Sequence, residues 1–369
     1  MPDLFPNPLT NRLPAERRRG RAAAHNPTGR YERHVTERVD DGWSTDPDDA
    51  LPPLRTEVAI DASRSVLTRN TSPDVPFDRS VNPYRGCEHG CIYCFARPSH
   101  AQLGLSPGLD FETKLTIKPR APALLAEALR KRGYRVQPIA IGTNTDPYQP
   151  IERQHRIMRG VLGVLKRFRH PVCITTKGAS VTDDVEILGR MGRQGLAQVT
   201  LSITTLDSRL SRSMEPRAAS PARRLAAVRT LARAGVPVAV NLSPLIPGLN
   251  DHELERMAEA AAEAGARGAK YTVLRLPLEV APLFRDWLAR ERPQAAGRIM
   301  NRVRDLHGGR DYDPTWHRRL KGEGVHASLI ARRFALARRR VGLADALPPL
   351  RCDLFRVPAE PGDQLDLGL

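Results

Sequence analysis

From about residue 79 the chain alternates between two patterns. Short runs rich in Val, Ile and Thr are separated by longer stretches whose apolar residues recur at helical spacing. The β-prone runs are 80–85, 136–143, 171–176, 198–204, 237–244 and 270–276, and the helical stretches lie near 120–132, 151–168, 182–193, 220–234 and 251–265. Helix starts are marked at Thr182-Asp183-Asp184, Ser220-Pro221 and Asn250-Asp251, where a capping residue is followed by an acid or a proline. Strands that alternate with helices predict parallel βα units. Six units predict an α/β fold, a partial (β/α)6 TIM-type barrel rather than a closed barrel of eight.

In such barrels the chemistry sits at the C-terminal ends of the strands. Polar residues gather at those ends here. They are Gly142-Thr143-Asn144-Thr145-Asp146, Thr175-Thr176-Lys177, Ser202-Ile203-Thr204-Thr205, Asn241-Leu242-Ser243 and Arg275, while the first run leads into Cys87. Six such ends point to one pocket.

The flanks read differently. Residues 1–53 are rich in Arg, Pro, Asp and Gly with no sustained period, and are expected to form a basic tail that is disordered or draped over the surface. Residues 54–280 make the barrel core, and 281–369 a helical extension. Leu283, Phe284, Trp287 and Leu288 give that extension an apolar stripe, and helices near 294–306 and 326–341 follow. The extension is expected to pack on the open side of the barrel.

Hydrophobic residues make up 40% of the chain, enough for a large core, and no apolar run is long enough to span a bilayer. A soluble, cytoplasmic protein with no membrane partner is expected, while its oligomeric state is not legible. The net charge is +17, with clusters at Arg17-Arg18-Arg19-Gly20-Arg21 and at Arg338-Arg339-Arg340 near Arg332-Arg333. Arginine neutralises phosphates, so DNA or RNA is one expected partner. Only seven of the cations are Lys, a bias that coding composition also produces, so a merely solvated basic surface is the other reading.

The densest chemistry is a C-x3-C-x2-C spacing at Cys87, Cys91 and Cys94. Three thiolates so placed hold three irons of a [4Fe–4S] cluster and leave the fourth open to a ligand. Zinc with His89 or His100 as a further ligand is an alternative, although zinc favours four ligands in paired clusters. A disulfide with a spare thiol would need an oxidising compartment, and no signal peptide is read. Three unrelated buried cysteines are the remaining alternative. Only Cys173 and Cys352 lie outside the triplet, which limits an all-cysteine protein to one cluster.

With Tyr93 just before the last cysteine, the loop resembles that of the radical SAM superfamily. The sequences Thr145-Asp146, Thr176-Lys177, Ser202-Ile203 and Met214-Glu215-Pro216 follow in the order seen in spore photoproduct lyase. Residues 79–280 resemble that branch, often termed DNA-repair photolyase-like. An uncharacterised bacterial subgroup is more similar still, through the stretches 82–91 and 142–150.

The resemblance implies a [4Fe–4S] cluster on Cys87, Cys91 and Cys94 and S-adenosylmethionine chelated at its open iron. An external electron donor such as flavodoxin or ferredoxin would drive cleavage to a 5′-deoxyadenosyl radical, which abstracts hydrogen from a substrate. By the same resemblance Lys177 and Ser202 would hold the SAM carboxylate, and Tyr93 would reach the adenine region. Asn144 and Asp146 would meet ribose hydroxyls or substrate, and Glu215 cofactor or substrate. Each has a plainer reading: a solvated lysine, a strand hydroxyl, an aromatic covering the cluster, a turn cap at Asp146 beside Pro147, and a surface salt bridge at Glu215.

Two departures stand out. The lyase's hydrogen-donor cysteine aligns with Thr143, and the tyrosine after its last cluster cysteine aligns with Phe95. A hydroxyl holds its hydrogen too strongly to replace a thiol, and Phe95 has no hydroxyl at all. Cys173 lies four residues below Lys177 on the same strand, ~13 Å deeper at the usual strand rise. The repair reaction itself is therefore not expected. Three readings follow: a radical SAM enzyme on nucleic acid or a modified nucleotide, one on a small metabolite or peptide, or a cluster-bearing binding or redox-sensing protein without SAM turnover.

Overall fold

The computed structural model describes residues 20–32 and 54–359. Its strands are β1 (Glu57–Ile60), β2 (Leu67–Arg69), β3 (Arg79–Val81), β4 (Tyr84–Arg85), β5 (Lys114–Ile117), β6 (Ile139–Ile141), β7 (Val172–Thr176), β8 (Ala197–Ile203), β9 (Val238–Leu245) and β10 (Gly268–Val273). The main sheet runs β10-β9-β8-β7-β6-β3-β2. The first six of these strands are parallel, and β2 adds antiparallel to β3 at the edge. This is the expected partial barrel of six βα units.

Along β7 and β8 buried apolar residues alternate with less buried polar ones, because helices seal one face of the sheet. Val199, Leu201 and Ile203 of β8 and Val240 and Leu242 of β9 are fully buried. Helix Ile157–Arg167 covers its part of the sheet with Ile157, Met158, Val161, Leu162 and Leu165. Each such side chain contributes about 1.5–3 kcal/mol on burial. Ser220 caps helix Pro221–Arg233 as its sequence predicts, accepting from the Arg223 N–H. Asp184 instead makes no cap: its carboxylate accepts from the Tyr148 hydroxyl and from Arg159.

The run 80–85 is not one strand. Pro83 offers no N–H to a ladder, and the chain leaves the barrel after Val81. Tyr84–Arg85 pairs instead with β5 in a second sheet ordered β1-β5-β4. The stretch 151–168 is likewise two helices, Glu152–His155 and Ile157–Arg167, divided at Arg156 in the left-handed region. The Glu152 carboxylate accepts from the Met158 N–H across this break.

Two C-terminal segments complete the barrel. Leu320 accepts from the Val273 N–H, while Arg319 and the His317 N–H bind Asp74 just beyond β2. Residues 317–320 thus link the two edges of the open sheet. At the other end of the strands, the Arg351 N–H donates to Gly195 and Gln198 donates to Pro348. Helix Val280–Glu291 buries the predicted stripe of Leu283, Phe284, Trp287 and Leu288 against Ile92, Tyr93 and Met214. The extension therefore packs beside the cysteine loop.

The N-terminal region gives one departure from a surface-draped tail. Ala22, Ala23 and Ala24 are buried, and so is Arg21. Small side chains let this strand of backbone pass close to the cysteine loop, where its N–H groups meet Glu112. Arg17-Arg18-Arg19 and the rest of residues 1–19 lie outside the described residues, as do 33–53.

Candidate active site

The cysteine loop leaves β4 through Gly86, which has φ +73°. A Cβ there would lie 2.5 Å from Leu115 and 3.0 Å from the Phe111 carbonyl, so only glycine fits. Successive tight turns then gather the thiols: the N–H of Gly90 donates to Cys87, that of Cys94 to Cys91, and that of Arg97 to Cys94. Cys87 and Cys91 are buried and Cys94 is partly so. Burial pushes the Cys91 thiol up to about 12, against the pull of the Lys177 charge. Cys87 is raised too, by burial, by Asp146 and by the other two thiols. Thiolates here need a compensating cation.

Among the described residues, no three Cys, His, Asp or Glu groups converge on a single ion. His89 faces Asp146 at 3.3 Å and His100 Nε2 pairs with the Lys114 carbonyl at 3.0 Å, so neither histidine completes a zinc site. A cubane asks for something else, since each thiolate binds a different iron. Three neighbouring thiols on one loop fit that group.

The loop is held by a clamp that the sequence did not reveal. Arg97 is fully buried and donates to the carbonyls of Cys91, Gly90, Pro107 and Gly108 and to Glu112. Glu112 also accepts from the N–H groups of Ala22 and Ala23, and Arg21 donates to its carbonyl oxygen. Gln149 adds a further pin, accepting from the Glu88 N–H at 2.8 Å and donating to the Gly86 carbonyl at 3.3 Å.

Across the loop lie the strand-end residues. Glu215 is not on the surface: its carboxylate is 1% exposed and accepts from Tyr93, Thr204 and Arg224. Burial pushes this carboxyl up, but Arg224 and Lys177 outweigh it and hold it at about 2. Arg224 also donates to the Ser202 carbonyl at 3.0 Å. The Ser202 hydroxyl and the Lys177 ammonium have no hydrogen-bond partner among the described residues, and that ammonium sits 5.7 Å over the Tyr93 ring. Burial lowers the affinity of Lys177 for its proton, yet the negative charges of a Cys91 thiolate and of Glu215 more than restore it. Among the described residues Lys177 is a charged donor with no hydrogen-bond acceptor.

Asp146 is spent within the protein. It accepts from the Tyr148 N–H as a turn cap, from Thr176 at 2.5 Å and from the Lys177 N–H at 2.7 Å, besides facing His89. Burial opposes its ionisation, but His89 and these donors leave its pKa well below the usual range. Its geometry orients Lys177 and the cysteine loop and leaves little acceptor capacity for ribose. Asn144 is tied by its N–H to Asn82 at 3.1 Å, and Thr143 hydrogen-bonds the same side chain at 3.3 Å.

Asn144 and Thr143 line a cavity of about 660 Å³ between the cysteine loop, β2 and the segment that closes the barrel. Phe95, Arg275 and Arg319 line it as well. Cys173 stands apart in β7, in register with Ala140 and Gln198, with its thiol raised by burial to about 11.

The radical SAM superfamily profile matches residues 81–261, which span the cysteine loop and most of the barrel. An uncharacterised protein of Mycobacterium tuberculosis is 35% identical over 286 residues, covering 76% of this chain and 83% of its own length. An uncharacterised protein of Methanocaldococcus jannaschii is 27% identical over 173 residues, covering 47% of this chain and 62% of its own. Among solved structures, spore photoproduct lyase complexed with dinucleoside spore photoproduct superposes with a TM-score of 0.56 at 15% identity, over 78% of this chain and 80% of that one. A point variant of the same lyase gives 0.56 at 16%. That likeness is one of fold. The chain belongs to the radical SAM superfamily, enzymes that use a [4Fe–4S] cluster and S-adenosylmethionine.

Proposed function

We propose that Cys87, Cys91 and Cys94 hold the [4Fe–4S] cluster, that Lys177 and Ser202 receive the SAM carboxylate, and that the substrate enters the adjoining cavity. The observation that carries this is the unpaired Lys177 ammonium beside Cys91, oriented through its own backbone by Asp146. When bound, the reduced cluster supplies the electron that cleaves S-adenosylmethionine to a 5′-deoxyadenosyl radical. The protein's part is to bind, orient and exclude water. Tyr93 stacks its ring below the lysine and ties its hydroxyl to Glu215, closing the floor of the cofactor space. Arg224 pairs directly with Glu215, and Lys177 adds its charge from nearby while its N–H donors are kept for the cofactor. Asp146 acts as a positioning residue.

An external reductant of the flavodoxin or ferredoxin class would reduce the cluster. The substrate reading we favour is a nucleic acid or modified nucleotide, supported by the net charge of +17 and by the cationic cavity. A small metabolite or peptide is the second reading. It is favoured by the basic helix Gly324–Arg340, whose Arg333 and Arg340 pair with Glu255 and Glu259 of the same chain.

The test is anaerobic reconstitution, reduction with dithionite and assay of 5′-deoxyadenosine with and without DNA. No product under any condition sinks the enzyme reading and leaves a cluster-bearing sensor. Turnover stimulated by DNA and lost at higher salt supports the nucleic-acid substrate.

A further inference from the structure

Among the described residues five cations line the cavity at the barrel mouth, Arg69, Arg85, Lys118, Arg275 and Arg319, and no acidic side chain does. Two are already spent, since Arg85 binds Asp61 at 2.6 Å and Arg319 binds Asp74. Arg275 differs. Its guanidinium lies 4.1 Å over the ring of Phe95, the residue directly after Cys94. Tyr312 lies beside it, and no carboxylate pairs with it among the described residues. Burial pulls its pKa down and the nearby Arg319 adds to the effect, while Tyr312 and a Cys94 thiolate oppose it.

A cation held in a partly dry site without a carboxylate partner gains from a ligand that brings an anionic group to it. The Phe95 ring is 43% exposed, unusual for an aromatic beside a buried loop, so the stack forms a cavity wall and not part of the core. Stacking on an aromatic face fixes the plane of the guanidinium and leaves its fork of N–H donors free for a two-oxygen acceptor. Lys118, on the same cavity, is also desolvated, and among the described residues it forms no ion pair, although the Asp61 carboxylate acts on it from nearby.

We infer that Arg275, stacked on Phe95, is the seat for an oxyanion of the substrate, a phosphate or a carboxylate, which it docks beside Cys94 with help from Lys118. This rests on the reading of the cavity as the substrate site and makes it specific. The seat sits at the last cluster ligand, so a substrate anchored there by its anionic group presents its neighbouring C–H bonds to the cofactor space. Arg275 is then a specificity-determining residue, and Phe95 its positioning residue. The ring that lacks the hydroxyl of the lyase's tyrosine has a use as a platform.

The experiment is equilibrium binding to the reconstituted full-length protein without turnover. Thymidine 5′-monophosphate, inorganic phosphate and succinate are titrated at constant ionic strength against a chloride background. The wild type should bind at least one of them saturably. R275Q should weaken that binding at least tenfold, R275K several-fold through loss of the fork, and F95L several-fold through loss of the platform. F95Y and the surface control R332Q should bind as wild type. Preference for the phosphates or for succinate identifies the source of the oxyanion.

Absence of binding in the wild type overturns the inference, as does equal binding by wild type and R275Q. R275K, which keeps the charge, covers the case in which R275Q fails to fold, and its binding like wild type would also overturn it. Iron content and SAM cleavage, measured on the same preparations, report separately on the cluster. Loss of those with intact, Arg275-dependent binding would indict the cofactor reading alone.

Discussion

Arg97 and Lys177 are both basic side chains beside the cysteine loop, and the protein treats them in opposite ways. All five N–H groups of Arg97 are donated, four to carbonyls and one to Glu112, and the pair is fully sealed. Lys177 has its backbone fixed by Asp146 while its ammonium is left unpaired, and Arg275 repeats the theme in the next cavity. The clamp spends its charge on geometry. The mouth withholds its charge for ligands. A loop that must hold three thiols in register tolerates no slack on the first side, whereas a binding site gains only from groups whose partners arrive with the ligand.

The largest effect that tests this contrast is on the loop itself. Cys87→Ala should abolish stable cluster assembly, read as iron and labile sulfide per chain after anaerobic reconstitution, and with it any 5′-deoxyadenosine. A full cluster in that variant would overturn the ligand assignment. Next is the clamp. Arg97→Ala removes the counter-charge of the buried Glu112 carboxylate and one donor from each of four carbonyls, and breaking a buried pair in this way costs about 3–5 kcal/mol. A urea titration should show that loss. An unchanged midpoint would mean that the clamp is slack.

Lys177→Met should do the reverse, leaving urea stability nearly intact while weakening SAM binding. A charge-assisted hydrogen bond is worth about 1.5–3 kcal/mol, roughly a 10–100-fold change. Equilibrium dialysis with labelled SAM reads it. If stability falls and affinity does not, Lys177 belongs with the clamp.

Glu215 lies between the two cases, and pH separates them. Its folded pKa of about 2 is below the ordinary value of 4.5, so its stabilisation is present above 4.5 and is lost as pH falls through 2. Glu215→Gln should remove that part of the acid dependence, visible as a flatter stability profile between those values. A variant profile that parallels wild type there would show that Arg224 and Lys177 do not hold the carboxylate ionised.

How much of this was legible in the sequence follows from how local each signal is. Five of the six barrel strands lie within short β-prone runs set between helical stretches and so predict themselves, and the cysteines are named by spacing over eight residues. Lys177 was found because a strand end is a local feature. Arg97, Glu112, Arg21 and Arg224 were not, because their roles exist only in contact. Arg21 reaches Glu112 across 91 positions, and neither residue sits in a pattern that announces the other. Strand β1 was missed for a different reason. Glu57, Val58, Ala59 and Ile60 are all exposed, so no alternation marks them, and they pair only because β5 runs alongside. Asp146 and Glu215 sit in motifs that the sequence does single out, but the hydrogen bonds of Asp146 to Thr176 and of Glu215 to Arg224 join elements that no local pattern connects.

The smallest effect concerns the cations farthest from the mouth. The run Arg338-Arg339-Arg340 invites a nucleic-acid reading from sequence, yet Arg340 pairs with Glu259 and Arg338 lies 4.0 Å from Asp345. The Arg340 and Glu259 side chains are 61% and 42% exposed, so solvent screens the pair and its worth is at most about 1 kcal/mol. Arg340→Ala should therefore change urea stability by no more than that. If helix Gly324–Arg340 is a solvated face, the same variant leaves any DNA stimulation of SAM cleavage, and its salt dependence, as in wild type. A clear drop in that stimulation would move the polyanion contact from the cavity wall to this helix. The unpaired cations at the mouth would then answer to the substrate's own oxyanion and not to a nucleic-acid backbone.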